Sequence, residues 1–273
     1  MLIKHDRLID ISTSILEAAG APEKNARLVS EHLVEANLKG HDSHGVGMVS
    51  SYVRSILAGL VKVDRDAELI NDAGAVLSFD GGAGFGRVVG MQAIEAGIDR
   101  AREHGVCVVA LGNASHLGRI GVFGERCSEE GLISMHYVNV VGHDPMVVAH
   151  GGRDRRFVTN PFCCTVPRED GNHVILDMAT TTVAAGKVLA ARLANVRIDA
   201  DCFDGDAVCG RAAPQYLHES ITFTNVSIAM VKSNLGVRSN AYFEASGPEL
   251  CKPDFHAPFQ KLDHRLDSET RIE

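Results

Sequence analysis

The chain has 273 residues, 45% hydrophobic and 23% charged, a globular balance that excludes disorder throughout. Its 27 basic and 35 acidic residues leave a net charge of −8, which argues against a general nucleic-acid binder and for a soluble protein. No run approaches the ~20 apolar residues of a membrane span, charges break every apolar run that a signal peptide would need, and the seven cysteines lack CxxC spacing. A cytoplasmic protein with reduced thiols, and no membrane or nucleic-acid partner, is expected.

In chain order, Leu8, Ile11, Ile15, Leu16 and Ala19 recur at helical spacing, and Gly20 stands where a C-cap glycine would. A second helix starts near Pro22, with Leu28, Val29, Leu33, Ala36 and Leu38 on its apolar face, and stops at Gly40. A third is expected from Tyr52 to Leu60. "AVLSFDGGAGFG" reads as a strand and a glycine-rich turn, followed by a helix from about Arg87 to His104. Val106 to Leu111 reads as a buried strand and "GNASHLGRIG" as a loop. Val122 to Glu130 is helical. "LISMHYVNV" and "HVILDMAT" are strands, "TNPFCCTVP" is extended, and "TTVAAGKVLAARLA" is a helix. Beyond about Leu193 periodicity fades. "SITFTNVSIAMVK" is one strand or two, and the last stretch from Gly247 reads as an irregular tail. The pattern is mixed α/β. GxGxxG, P-loop, HExxH and GxSxG motifs are absent.

Three polar clusters carry possible chemistry. Ser43 and His44 lie in "GHDSHGVGM", Gly40 to Met48, just past a helix end. His116 lies in "ASHLGRIG", where Gly118, Gly121 and Gly124 are spaced by three, as suits close backbone approach at a helix start. Asp177 ends an apolar strand, as a helix N-cap or a site residue. Histidine is the natural proton donor and acceptor near neutral pH. A Ser–His–Asp hydrolase is a competing reading. Against it, adjacent side chains such as Ser43 and His44 tend to diverge, and no nucleophile elbow is present. No metal site is expected, because no His or Cys pair shows ligand spacing.

Taken in order, "GHDSHGVGMVSSYVRSILAG", "HGVCVVALGNASHLGRIGVFGERCSEEGLIS", "FVTNPFCCTVPR" and "VILDMATTTVAAGKVLAAR" resemble the malate/L-lactate dehydrogenase-like family of NAD(P)-dependent oxidoreductases, which is unrelated to the Rossmann-type enzymes. The match is nearest to its hydroxycarboxylate dehydrogenase branch. The resemblance implies a non-Rossmann α/β fold: a large, mainly antiparallel sheet with flanking helices and a helical N-terminal portion. It implies reversible hydride transfer between NAD or NADP and C2 of a 2-hydroxy or 2-oxo acid, with cyclic imino acid (ketimine) reduction and a weakened or inactive member as alternatives. By resemblance, His44 and His116 are the two candidates for the proton donor, with Ser43 and Asp177 as relay. Cofactor contacts fall on His44, Gly118, Arg119, Ile120, Asn160, Leu176, Asp177, Met178 and Ala179. Members form homodimers. The implied division is 1–75 for the helical portion, 76–192 for the cofactor-binding domain and 193–273 for a divergent segment. Two departures stand out. Met48 replaces an arginine that grips the substrate carboxylate in many members, and the late "GGHKGYGL"-type motif is missing after Leu193.

Overall fold

A computed structural model describes residues 3–141, 145, 147–148, 154–181 and 224–232, the last of these by its backbone. Three helices come first: α1 (His5–Ala18), α2 (Glu23–Leu38) and α3 (Val49–Leu57). Pro22 sits at the N-cap of α2, one residue outside the first turn where the sequence placed it. Leu16, Ala26, Val29, Leu33, Val49 and Tyr52 pack together, and Phe85 and Val88 close this small core from the next helix.

Among the described residues seven strands form the main sheet. They are β1 (Glu68–Asp72), β2 (Val76–Asp80), β3 (Val106–Ala114), β4 (Leu132–Val140), β7 (Pro161–Val166), β8 (Val174–Ala179) and β9 (Thr224–Lys232). Their order is β1-β2-β3-β9-β4-β7-β8, and β5 (Val147–Val148) and β6 (Arg155–Phe157) form a separate ribbon. Among the described residues only β2 and β3 of this sheet run parallel; every other pair in it is antiparallel. The expected mixed α/β fold, with a mainly antiparallel sheet and a helical start, is therefore present.

Strand alternation decides which face is covered. Cys107, Val109 and Leu111 of β3 are buried while Val106 and Val108 are exposed. On β4, Leu132, Ser134, His136 and Val138 are buried while Met135 and Tyr137 are exposed. The buried face packs against α4 (Gly86–His104), through Val89, Ala93, Ile94, Ile98 and Ala101, and against α5 (Gly121–Glu129), through Phe123 and Cys127. Its polar members bond to one another, with His136 Nδ1 left without a partner among the described residues. Ser134 Oγ lies 2.8 Å from His136 Nε2 and 2.9 Å from Thr165 Oγ1, and the Thr165 hydroxyl donates to the Gly124 carbonyl at 3.0 Å.

Several boundaries differ from the sequence reading. Helix α3 starts and ends three residues early, and β3 runs on through Ala114 into the expected loop. Strand β1 was not expected; all five of its residues are exposed, so no alternation marks it. "SITFTNVSIAMVK" contributes one strand from Thr224, in the centre of the sheet. The helix expected at "TTVAAGKVLAARLA", the aperiodic stretch after it and the tail from Gly247 lie outside the described residues. The described cysteines, Cys107, Cys127, Cys163 and Cys164, are thiols and not disulfide halves. Among the described residues no cluster of three or more metal-ligating side chains occurs, and no helix is long and apolar enough to cross a membrane.

Candidate active site

The turn that carries Ser43 and His44 is built from the end of α2. Gly40 adopts φ +76°, and the His41 N–H reaches back 2.8 Å to the Ala36 carbonyl, the closure of a helix ending on a left-handed glycine. The Asn37 side chain then pins the chain just beyond the helix. Its Oδ1 accepts the Val46 N–H at 2.8 Å, and its Nδ2 donates to Asp42 at 2.5 Å. The intervening residues form a 3-10 turn, Asp42–His44. This turn brings Ser43 Oγ to 2.9 Å from His44 Nδ1. The expectation that neighbouring side chains diverge is thus overturned by a direct contact between the two polar ends.

His116 arrives from the other direction, just beyond β3. Its loop is pressed onto the start of α4. The Gly86 N–H donates to Ser115 Oγ at 3.0 Å, and a Cβ on Gly86 would overlap the Ser115 and His116 carbonyls. The His116 ring stacks on His44, with centroids 5.4 Å apart and planes 16° from parallel. The Tyr52 hydroxyl from α3 lies 2.8 Å from His116 Nδ1. Burial, helped by the neighbouring His44, pulls the His116 pKa down to about 3, so this ring is neutral near pH 7.

The loop continues through Gly118, Arg119 and Ile120 into the N-terminus of α5. The Arg119 guanidinium is only 4% exposed and is held by both oxygens of Glu125, at 3.0 and 2.7 Å, and by Glu35 at 3.4 Å. Lys39 bridges the same two carboxylates. That side chain is committed to the scaffold, which leaves the loop main chain as the part able to meet a ligand. Asp177 Oδ2 accepts the Gly121 N–H at 2.9 Å. Burial raises its pKa despite that bond. Its bond to Gly121 ties β8 to α5. Asn160 is tied to the end of β8, where Thr180 Oγ1 donates to its carbonyl at 2.7 Å. The Asn160 Oδ1 is buried without a partner among the described residues. Leu176 and Met178 are exposed along β8, and Ala179 pairs with Pro161 at the strand's end.

The sequence-predicted residues therefore fall into two groups joined by residues 116–121. Ser43, His44 and His116 form one, and Gly121, Asp177 and Asn160 border the other. Tyr52 was missed, although it lies in a quoted motif, because an aromatic residue on a helix reads as core. Its i, i+3 spacing from Val49 and Ser55, both buried, marked only the covered face.

Residues 3–207 match the malate/L-lactate dehydrogenase family. The chain belongs to this family. Among its relatives, the hydroxycarboxylate dehydrogenase B of Escherichia coli K12 is 44% identical over 189 residues, covering 69% of this chain and 52% of the relative. An L-lactate dehydrogenase of Cupriavidus necator is 36% identical over 178 residues, covering 65% of this chain and 51% of the relative. A solved E. coli structure of the malate/lactate dehydrogenase type superposes with a TM-score of 0.75 at 29% identity, covering 100% of this chain and 84% of that one. The chain spans about half the length of the curated relatives it matches. The malate/L-lactate dehydrogenase match extends past Leu193, where the recognisable motifs end, to residue 207.

Proposed function

We propose that the protein is a nicotinamide-dependent oxidoreductase that interconverts a 2-oxo acid and the corresponding 2-hydroxy acid. The observation that carries this reading is the stacked His44–His116 pair, with a hydroxyl on the Nδ1 of each ring. When Tyr52 O–H donates to His116 Nδ1, the ring's proton sits on Nε2, turned away from the tyrosine. A neutral imidazole of this kind donates Nε2–H to a carbonyl oxygen and polarises it. As the oxygen becomes an alkoxide, His116 gives up that proton. A proton from solvent, passed through the Tyr52 hydroxyl to Nδ1 so that the buried phenol stays neutral, makes good the loss and leaves Nε2 as the free base. In the oxidative direction the same nitrogen removes the hydroxyl proton. His44, braced by Ser43, is the second candidate for this step.

The residues present fit a nicotinamide dinucleotide. The Asn160 Oδ1, without a donor among the described residues, is a buried acceptor that the carboxamide NH₂ of a nicotinamide would satisfy. Leu176 and Met178 offer an exposed apolar flank, and Gly118 to Ile120 offer main chain. The bound cofactor supplies or accepts the hydride at C2. Either NAD or NADP suits these contacts, and a homodimer in a cytoplasmic setting accompanies the reading.

The test is oxidation of NADH and NADPH with pyruvate, phenylpyruvate, oxaloacetate and a cyclic imino acid. Turnover with an oxo acid supports the proposal, and turnover with the imino acid alone redirects it to ketimine reduction. Absence of turnover with all four, together with no cofactor binding by fluorescence, overturns it. Cofactor binding without turnover identifies an inactive member.

A further inference from the structure

We infer that His32 is a positioning residue for the His116 loop, acting by clamping the backbone at Gly118 and Arg119. The assignment rests on the oxidoreductase reading for its catalytic consequence but on geometry for the clamp itself. His32 lies on α2 and is 2% exposed. Its Nε2 accepts the Arg119 backbone N–H at 3.1 Å. The loop is pressed against the same ring: Gly118 has φ +75°, and a Cβ there would overlap His32 Nε2 and Cδ2. The imidazole thus meets the loop by hydrogen bond and by contact, two and three residues after His116.

The ring's other nitrogen supports this role. His32 Nδ1 is buried with no hydrogen-bond partner among the described residues. A leucine or phenylalanine would fill the space without burying an unpaired N–H. The benefit that offsets that cost is the bond to Arg119, whose N–H would otherwise be a buried orphan. Because Nε2 accepts, the ring's one proton must reside on Nδ1. Burial foremost, then Arg87 and Arg119, with His116 and His44 further off, hold His32 far below the usual histidine pKa, so the acceptor persists near pH 7. Helix α2 holds the same loop a second time, through Glu35 on the Arg119 guanidinium. The helix that ends in the Ser43–His44 turn thereby also fixes the loop that carries His116, and the two stacked rings take their spacing from a single element.

The experiment compares the unaltered chain with His32→Gln, whose amide oxygen can take the place of Nε2, and with His32→Phe, which keeps a ring and removes the acceptor. Three readouts apply: hydrogen exchange at the Arg119 amide, the nitrogen chemical shifts of the His32 ring, and kcat and KM. In the unaltered chain the clamp requires slow exchange at Arg119 and a proton on Nδ1. His32→Phe is expected to speed that exchange roughly 10- to 100-fold and to lower kcat by a similar factor, with little change in KM. His32→Gln is expected to restore most of both. A proton on Nε2 in the unaltered chain overturns the inference even if no variant folds. So does a folded His32→Phe chain with unchanged exchange, or one whose kcat His32→Gln does not improve on. If the unaltered chain shows the clamp but reduces no oxo acid, the functional reading fails and only the catalytic half of the inference falls with it.

Discussion

The Tyr52 hydroxyl lies 2.8 Å from His116 Nδ1, and when it donates there it selects Nε2 as the seat of the ring's proton, from a buried position on α3. Tyr52→Phe removes that choice without emptying the space. It is expected to lower kcat about 10- to 100-fold, while unfolding in urea shifts by no more than about 1.5 kcal/mol. A loss of stability with unchanged kcat would assign the hydroxyl a packing role instead. Because His116 sits down near 3, its ring resonances should hold one position from pH 5 to pH 8 in NMR titration. An inflection close to 6.5 would contradict its burial. At this scale the sequence was informative where a motif concentrates chemistry, as at Ser43, His44 and His116. It was silent on Tyr52 and His32, because both sit on helix faces that bury leucine, valine and alanine as well, and nothing local separates a partner from filler. Asp177 stood out in the sequence at the end of an apolar strand, yet its bond to Gly121 was not legible, since the two lie 56 positions apart and meet only when β8 docks on α5.

The elements place these residues by close approach. Gly86 lets the first turn of α4 lie directly on the Ser115 and His116 carbonyls. Backbone on both sides cannot step aside as a flexible side chain would. Gly86→Ala is expected to cost about 1–3 kcal/mol and to reduce activity more than stability alone explains, because the displaced atoms belong to His116. Denaturant unfolding measured beside kcat/KM checks both halves. Strand β9 is flanked by β3 and β4 along almost its whole length, with Ile228 opposite Val109 on one side and His136 on the other. Proline at 228 would remove a ladder donor from a central strand, so Ile228→Pro is expected to abolish cooperative unfolding and raise protease sensitivity; a native-like thermal transition would refute the central position. That a strand exists near here was readable from "TNVSIAMVK". Its central place was not, because β-pattern reports a half-buried surface and carries no address for the neighbouring strand.

For the molecule as a whole, buried histidines couple stability to pH. His136 is drawn down to about 4 by burial and His116 to about 3, with His32 also far below its ordinary value. The unfolded chain binds a proton at each below about pH 6.5, where the folded chain does not, so unfolding gains protons and stability falls as pH drops from 6.5 towards 4. Each such group is expected to lose about 2 kcal/mol by pH 5. Guanidinium unfolding at pH 7 and pH 5 measures the total, and His136→Phe should shrink the difference between the two. A gain in stability on acidification would contradict the sign. The sheet order carries one more consequence, for the timing of folding during synthesis. Strands β1, β2 and β3 can pair as soon as they emerge from the ribosome, and so can β4, β7 and β8, but among the described strands it is β9 that joins the two halves of the sheet. Until residue 232 is available, two nine-residue edges, Val106–Ala114 and Leu132–Val140, face each other unpaired. A nascent chain of this design spends the whole interval from Ala179 to Lys232 as two incomplete sheets, the period in which a chaperone would find most to hold.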